Sequence, residues 1–138
     1  MADLSITPSD VLGVAGSFAK SEYVAGATIA AGDVVYVDTA ASNVLKLAQA
    51  DGTLLEATVK GIALNGAATG QPVSICTSGS LDVGATLAVA GVYILSAAAG
   101  KICPVADLAS SSYCSILGVA SATDNLKLII NNSGAEKP

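Results

Sequence analysis

The sequence predicts an all-β fold: a compact β-barrel or β-sandwich built from two tandem, related β units, with an extended N-terminal arm. Three observations predict it. Short β-branched runs recur roughly every ten residues between Gly, Asn, Asp and Ser turns. No segment sustains the apolar period of an amphipathic helix. One passage is also written twice: "GATIAAGDVVYVD" from Gly26 to Asp38 returns as "GATLAVAGVYILS" from Gly84.

The likeness continues in the same order along both units, about 23–79 and 81–134. Gly61-Ile-Ala matches Gly118-Val-Ala, and Ser78-Gly79 matches Ser133-Gly134. A repeated unit of this size needs its partner to bury its apolar face. In the first unit the strand runs are "DVVYVD" (33–38), "VLKLA" (44–48), "TVKGIAL" (58–64) and "PVSICT" (72–77). In the second they are "GVYILS" (91–96), "KICPV" (101–105), "YCSILGVA" (113–120) and "NLKLIIN" (125–131). Turns are expected at Ala31-Gly32-Asp33, Ser42-Asn43, Asp51-Gly52, Asn65-Gly66, Ser78-Gly79 and Asp124-Asn125, where residue type favours them. Gly61 and Gly118 fall inside strand patterns, which predicts a bulge or a tight bend at each. One short helical turn is expected over Asp107–Ser112, after Pro104.

The domain division follows. Residues 1–20 have no counterpart in the second unit and read as an arm, either an edge strand or a segment reaching a neighbouring protein. Residues 21–138 form the β domain, and "NNSGAEKP" reads as an exposed tail.

Composition narrows the function. The 138 residues are 52% hydrophobic and only 12% charged, with a mean hydropathy of +0.65. Such a chain leaves apolar surface for another protein to cover. Net charge is −5, with six Lys and no Arg. The Lys are scattered singly, which excludes a nucleic-acid interface built on a basic patch. Val83 to Gly100 carries no charge and approaches the length of a membrane span. Three glycines interrupt it, and its twin at Gly26 holds Asp33 and Asp38, which a bilayer core penalises. A membrane segment is therefore not expected. The start, with Asp3 and Asp10, lacks the basic region of a secretory signal.

Catalysis finds little to work with. There is no His in the chain, so a nucleophile would lack its commonest base. No G-x-S-x-G, P-loop or dinucleotide fingerprint occurs. The Asp residues sit mostly at turns. Cys76, Cys103 and Cys114 lie in apolar settings without metal-ligand spacing, and read as buried free thiols made in a reducing compartment. No catalytic, cofactor or metal residues are expected.

"GIALNGAATGQPVSICTSG" (Gly61 to Gly79), then "GATL", "GKICPVAD" (Gly100 to Asp107) and "ILGVA", resembles the small capsid decoration, or cement, proteins of tailed bacteriophages. The likeness covers roughly residues 22 to 131. It implies a β domain, made in the host cytoplasm, that binds the outer surface of an icosahedral head and locks major capsid proteins together. It implies no active site and no cofactor. Shell symmetry favours a homo-oligomer, a trimer before a dimer. The expected contacts are Ile6, Pro8, Val11 and Leu12 in the arm, and Asn65, Gly66 and Thr69 in an exposed loop. The alternative is a head-fibre-like β module that binds a receptor or carbohydrate. Against it stands the scarcity of aromatics for stacking on sugar rings: four Tyr and one Phe.

Overall fold

The computed structural model describes residues 3–137, and their side chains except those of 15–17. Nine strands follow in order: β1 (Val11–Val24), β2 (Val34–Asp38), β3 (Val44–Leu47), β4 (Gly61–Ala63), β5 (Pro72–Val83), β6 (Val92–Leu95), β7 (Ile102–Pro104), β8 (Tyr113–Ala120) and β9 (Asn125–Glu136). The remaining regular pieces are three single-turn 3-10 helices, Pro8–Asp10, Thr39–Ala41 and Val105–Asp107. The all-β expectation holds.

The sheet is antiparallel and curled, with strand order β3-β2-β4-β5-β9-β8-β6-β7. That order is the same scheme read from either end. β2 pairs with β3 and β4, and β4 with β5. In the other half β6 pairs with β7 and β8, and β8 with β9. Even the register repeats. Val34 faces Ile62 and Val35 faces Gly61, while Val92 faces Val119 and Tyr93 faces Gly118.

The matched glycines have one physical cause. A Cβ on Gly61 would stand 2.5 Å from the Cys76 carbonyl oxygen, and one on Gly118 would overlap the Lys127 carbonyl oxygen. Real Cβ atoms do not approach a backbone carbonyl so closely, so each site admits only glycine without local movement. β8 also shifts register between Ile116 and Gly118.

The N-terminal region takes the strand alternative over much of its length. The boundary expected at residue 20 falls inside β1, which pairs antiparallel with β5 from Val24↔Pro72 to Val11↔Val83. Midway, residues 14–17 stand opposite the single residue Ser80, and Phe18 folds its ring over Gly13. The two ends of this region meet the two end strands of the sheet. The Gly26 amide donates to the Leu45 carbonyl on β3 at 2.7 Å, and the Leu4 amide to the Ile102 carbonyl on β7 at 2.8 Å.

One expected turn is also absent. Ser78-Gly79 lies within β5, and its counterpart Ser133-Gly134 lies within β9, with positive φ at both glycines (96° and 68°) absorbing a local kink. Residues 131–136 are exposed, as expected, and belong to a strand. The helical turn forms at Val105–Asp107, just before its expected place.

Alternation along β2 divides the core. Val34 and Tyr36 join a large cluster with Ile62, Leu81, Leu95, Ile102, Leu117 and Leu126. Val35 joins a smaller one with Ile29, Leu45, Val73 and Ile75. Both faces of β2 are therefore buried, which binds the two clusters into one body. Among the described residues, no helix is long and apolar enough to cross a membrane.

Candidate functional site

The N-terminal strap, residues 3–10, and the start of β1 border a cleft of about 630 Å³. Its lining is polar: Ser9, Asp10 and Thr7 from the strap side, Asp82 and Thr86 at the end of β5, and Asp124 from the β8–β9 turn. Leu12 and Val11 also border it. Leu12 is 69% exposed. Its backbone faces Asp82, which in turn faces Asn125, so the row crosses from β1 to β9. The Asp82 carboxylate accepts the Gly84 amide at 2.9 Å and so shapes the turn leaving β5.

Local sequence fixes the strap. Pro8 opens the 3-10 turn, and the Asp10 amide donates to the Thr7 carbonyl. The Thr7 amide donates to the Gly84 carbonyl at 2.8 Å. The methyls of Ile6 and Val11 occupy the space beside Gly32, whose φ of 92° also suits glycine. At the far end, the buried Ser96 hydroxyl donates to the Asp3 carboxylate and accepts the Ala98 amide at 3.1 Å.

The arm residues expected at a contact thus separate into two kinds. Val11 is buried in the large cluster and Ile6 is packed against it, so both serve the chain's own fold. Pro8 and Leu12 face solvent. The loop residues Asn65, Gly66 and Thr69 are all exposed, but they lie by the smaller cluster, beside Ile29 and Ala67. Asn65 is held rather than free: its side chain accepts the Ser74 amide at 2.7 Å and donates to the Gly66 carbonyl at 3.0 Å. The structure does not bring the loop and the strap to one site.

Other exposed side chains escaped the sequence reading. Ile129, Val89, Leu54, Val105 and Val119 are large aliphatics left open to solvent. Val119 faces Lys127 across β8 and β9, with Ile129 two residues on. The signal for them was strand alternation, but it named the outer face only once the register was known.

The chemistry of the cleft is acceptance of hydrogen bonds. Its carboxylates and hydroxyls suit backbone amides or cationic side chains, and no aromatic ring lines it. Two of the thiols, Cys76 and Cys103, are buried. Burial pushes Cys103 up to about 11, helped by the carboxylates of Asp3 and Asp107. Burial likewise raises Cys76. All three cysteines are free. Among the described residues no three Cys, Asp or Glu gather as a metal site. Compared with known proteins, the sequence matches no family model and no curated protein.

Proposed function

We propose that this protein is a structural component of a virion: a decoration, or cement, protein that binds the outside of an icosahedral phage head and stabilises contacts between major capsid subunits. The observation that carries the reading is apolar surface without chemistry. Eight large aliphatic side chains are at least 39% exposed on a chain with 12% charge. A chain this apolar and this poor in charge leaves surface that a neighbouring protein can cover. The resemblance of Gly61–Gly79 and Gly100–Asp107 to decoration proteins supplies the kind of partner.

A curled, packed β body suits the task. It offers a rigid surface, and many weak contacts become strong when several copies engage a repeating lattice. Leu12, Pro8 and the acidic rim formed by Asp10 and Asp124 are the attachment face. The head-fibre alternative is less well supported. Tyr36 and Tyr93 are buried, and Tyr23 and Tyr113 are half-buried, so no open ring offers a platform for a sugar.

The test is sedimentation of the purified protein with heads that lack it. Binding should saturate at a fixed copy number per head, and Leu12→Asp should weaken it without unfolding the chain. Failure to co-sediment with any such head would end the proposal. Normal binding by Leu12→Asp would remove the strap face from it.

A further inference from the structure

Residues 3–10 carry no fully buried side chain. Leu4 and Ile6 are half-buried, and Asp3, Ser5 and Thr7–Asp10 are exposed. The Leu4 amide donates to the Ile102 carbonyl and the Thr7 amide to the Gly84 carbonyl, both at 2.8 Å. The Ser96 hydroxyl donates to the Asp3 carboxylate. The Asp10 amide bonds only within the strap, to the Thr7 carbonyl. From Val11 the character changes. Val11 is buried in the large cluster and opens the long pairing of β1 with β5. A loosely held segment thus meets a firmly held one at the step from Asp10 to Val11. Segments with few buried apolar contacts open locally, at far less free energy than the whole fold.

The strap lies over a thinly covered place. β7 is a three-residue strand at the end of the sheet, paired with β6 alone among the described strands. Its Cys103 is fully buried yet belongs to neither apolar cluster. Ser96, Asp3 and Asp107 surround the thiol instead. Cys76 is buried to the same degree, but inside the large cluster, on β5 between β1 and β4. One thiol is buried beside the strap and the other within the core.

We propose that residues 3–10 are a latch that opens as one unit, pivoting at Asp10–Val11, while the strands stay paired, and that this opening uncovers β7 and the Cys103 thiol. Opening frees the Ile102 and Gly84 carbonyls to water and empties the space beside Gly32 that the Ile6 methyl fills. Ile6 lies between the Leu4 and Thr7 anchors, so the three contacts let go together. Pro8 leaves with the latch while Leu12 stays on β1, so the wall of the cleft is remade on opening. The inference does not rest on the capsid reading, because the isolated chain suffices to test it.

The test is labelling of the full native chain with a thiol-specific disulfide reagent, each cysteine being followed by peptide mapping. Half-buried Cys114 should react first. Cys103 should react at least about a hundredfold faster than Cys76, because local opening costs less than global unfolding. Its rate should be nearly flat in low urea, since strap opening exposes little surface, whereas the Cys76 rate should climb steeply. Hydrogen exchange at the Leu4 and Thr7 amides should report the same opening equilibrium as Cys103. Ile6→Ser should speed Cys103 labelling at least about tenfold, with the circular dichroism spectrum unchanged. Val73→Ala, in the smaller cluster at the other end of β5, should speed Cys76 several-fold and leave Cys103 as it was. Cys103 labelling no faster than that of Cys76, with the same urea slope, would overturn the latch. So would an unchanged Cys103 rate in Ile6→Ser, or equal acceleration of both thiols by Val73→Ala.

Discussion

The turn from β2 into β3 and the turn from β6 into β7 are one design in two settings. Asp38 and Ser96 occupy the same place. Asp38 accepts the Ala40 amide and Ser96 the Ala98 amide, both at 3.1 Å. Further along, Ser42 and Gly100 both take positive φ, 63° and 73°. Across the strands, Lys46 and Cys103 also correspond. In the first setting Asp38 and Lys46 form an ion pair at 2.8 Å, near solvent. In the second, Ser96 and Cys103 are fully buried, hydrogen-bond each other, and lie by Asp3 of the strap. The lesson is that the strap, not the hairpin, decides the chemistry. An exposed site tolerates a charge pair. The covered site keeps neutral partners beside the carboxylates of Asp3 and Asp107.

Exchanging the two residues tests this most severely. Ser96→Asp places a second carboxylate beside Asp3 with no cation added. It should cost about 3–5 kcal/mol, the range for a buried uncompensated charge. Urea unfolding should show the loss, and hydrogen exchange should show the Leu4 amide released with the strap. The reverse exchange, Asp38→Ser, keeps an acceptor for the Ala40 amide and loses a surface pair. Its unfolding midpoint should barely move. Equal losses in the two variants would refute the comparison.

The glycines offer a second, smaller contrast. Gly61→Ala and Gly118→Ala both drive a methyl group toward a backbone carbonyl. Each should lose about 1–3 kcal/mol, with Gly118 at the upper end because its Cβ position overlaps the oxygen. Denaturant midpoints at constant slope would report it. A neutral Gly118→Ala would mean that β8 and β9 separate easily there.

These glycines were legible in the sequence because they stand inside β-branched runs and recur in matched blocks. The strand runs of both units were legible for the same reason. What misled was local chemistry at Ser78-Gly79. Ser-Gly favours turns, but β1 pairs with both residues and β9 with Gly79, so β5 continues through them. β1 itself was hidden. Its residues mix Gly, Ala, Ser and Lys, and it is a strand because β5 offers it an edge. The place of the strap was hidden likewise. Ile6 and Val11 are apolar in any reading, and only the structure says that they fill the space above Gly32. The cleft brings residues 5–12, 82–86 and 124 together from distant parts of the chain. No spacing in the sequence encodes that.

The smallest effect concerns the turns that open β2 and β6. The Asp33 amide donates to the Ala30 carbonyl at 3.1 Å, and the Gly91 amide to the Ala88 carbonyl at 2.9 Å, so these turns also correspond. Only the first carries a carboxylate. Burial raises the Asp33 pKa above 3.8, although the Ala30 amide and Lys101 pull it down. The folded state therefore holds the Asp33 proton more tightly than the unfolded chain does. Its contribution to stability is greatest below the unfolded pKa and declines as pH rises through the raised folded value. Above that value it is flat. Asp33→Asn keeps an oxygen for the Ala30 amide and removes the titration. The difference in urea midpoint between Asp33→Asn and the parent should therefore grow in the variant's favour as pH rises from below the unfolded carboxylate value, then level off once pH passes the raised folded one. Asp38, whose carboxylate is held low chiefly by its hydrogen bond to Lys46, gives the opposite slope. It is present in both proteins, so it cancels in the difference. A difference that stayed constant with pH would show that this carboxylate is as well solvated in the fold as in the open chain, and that the two turns differ in sequence but not in energy.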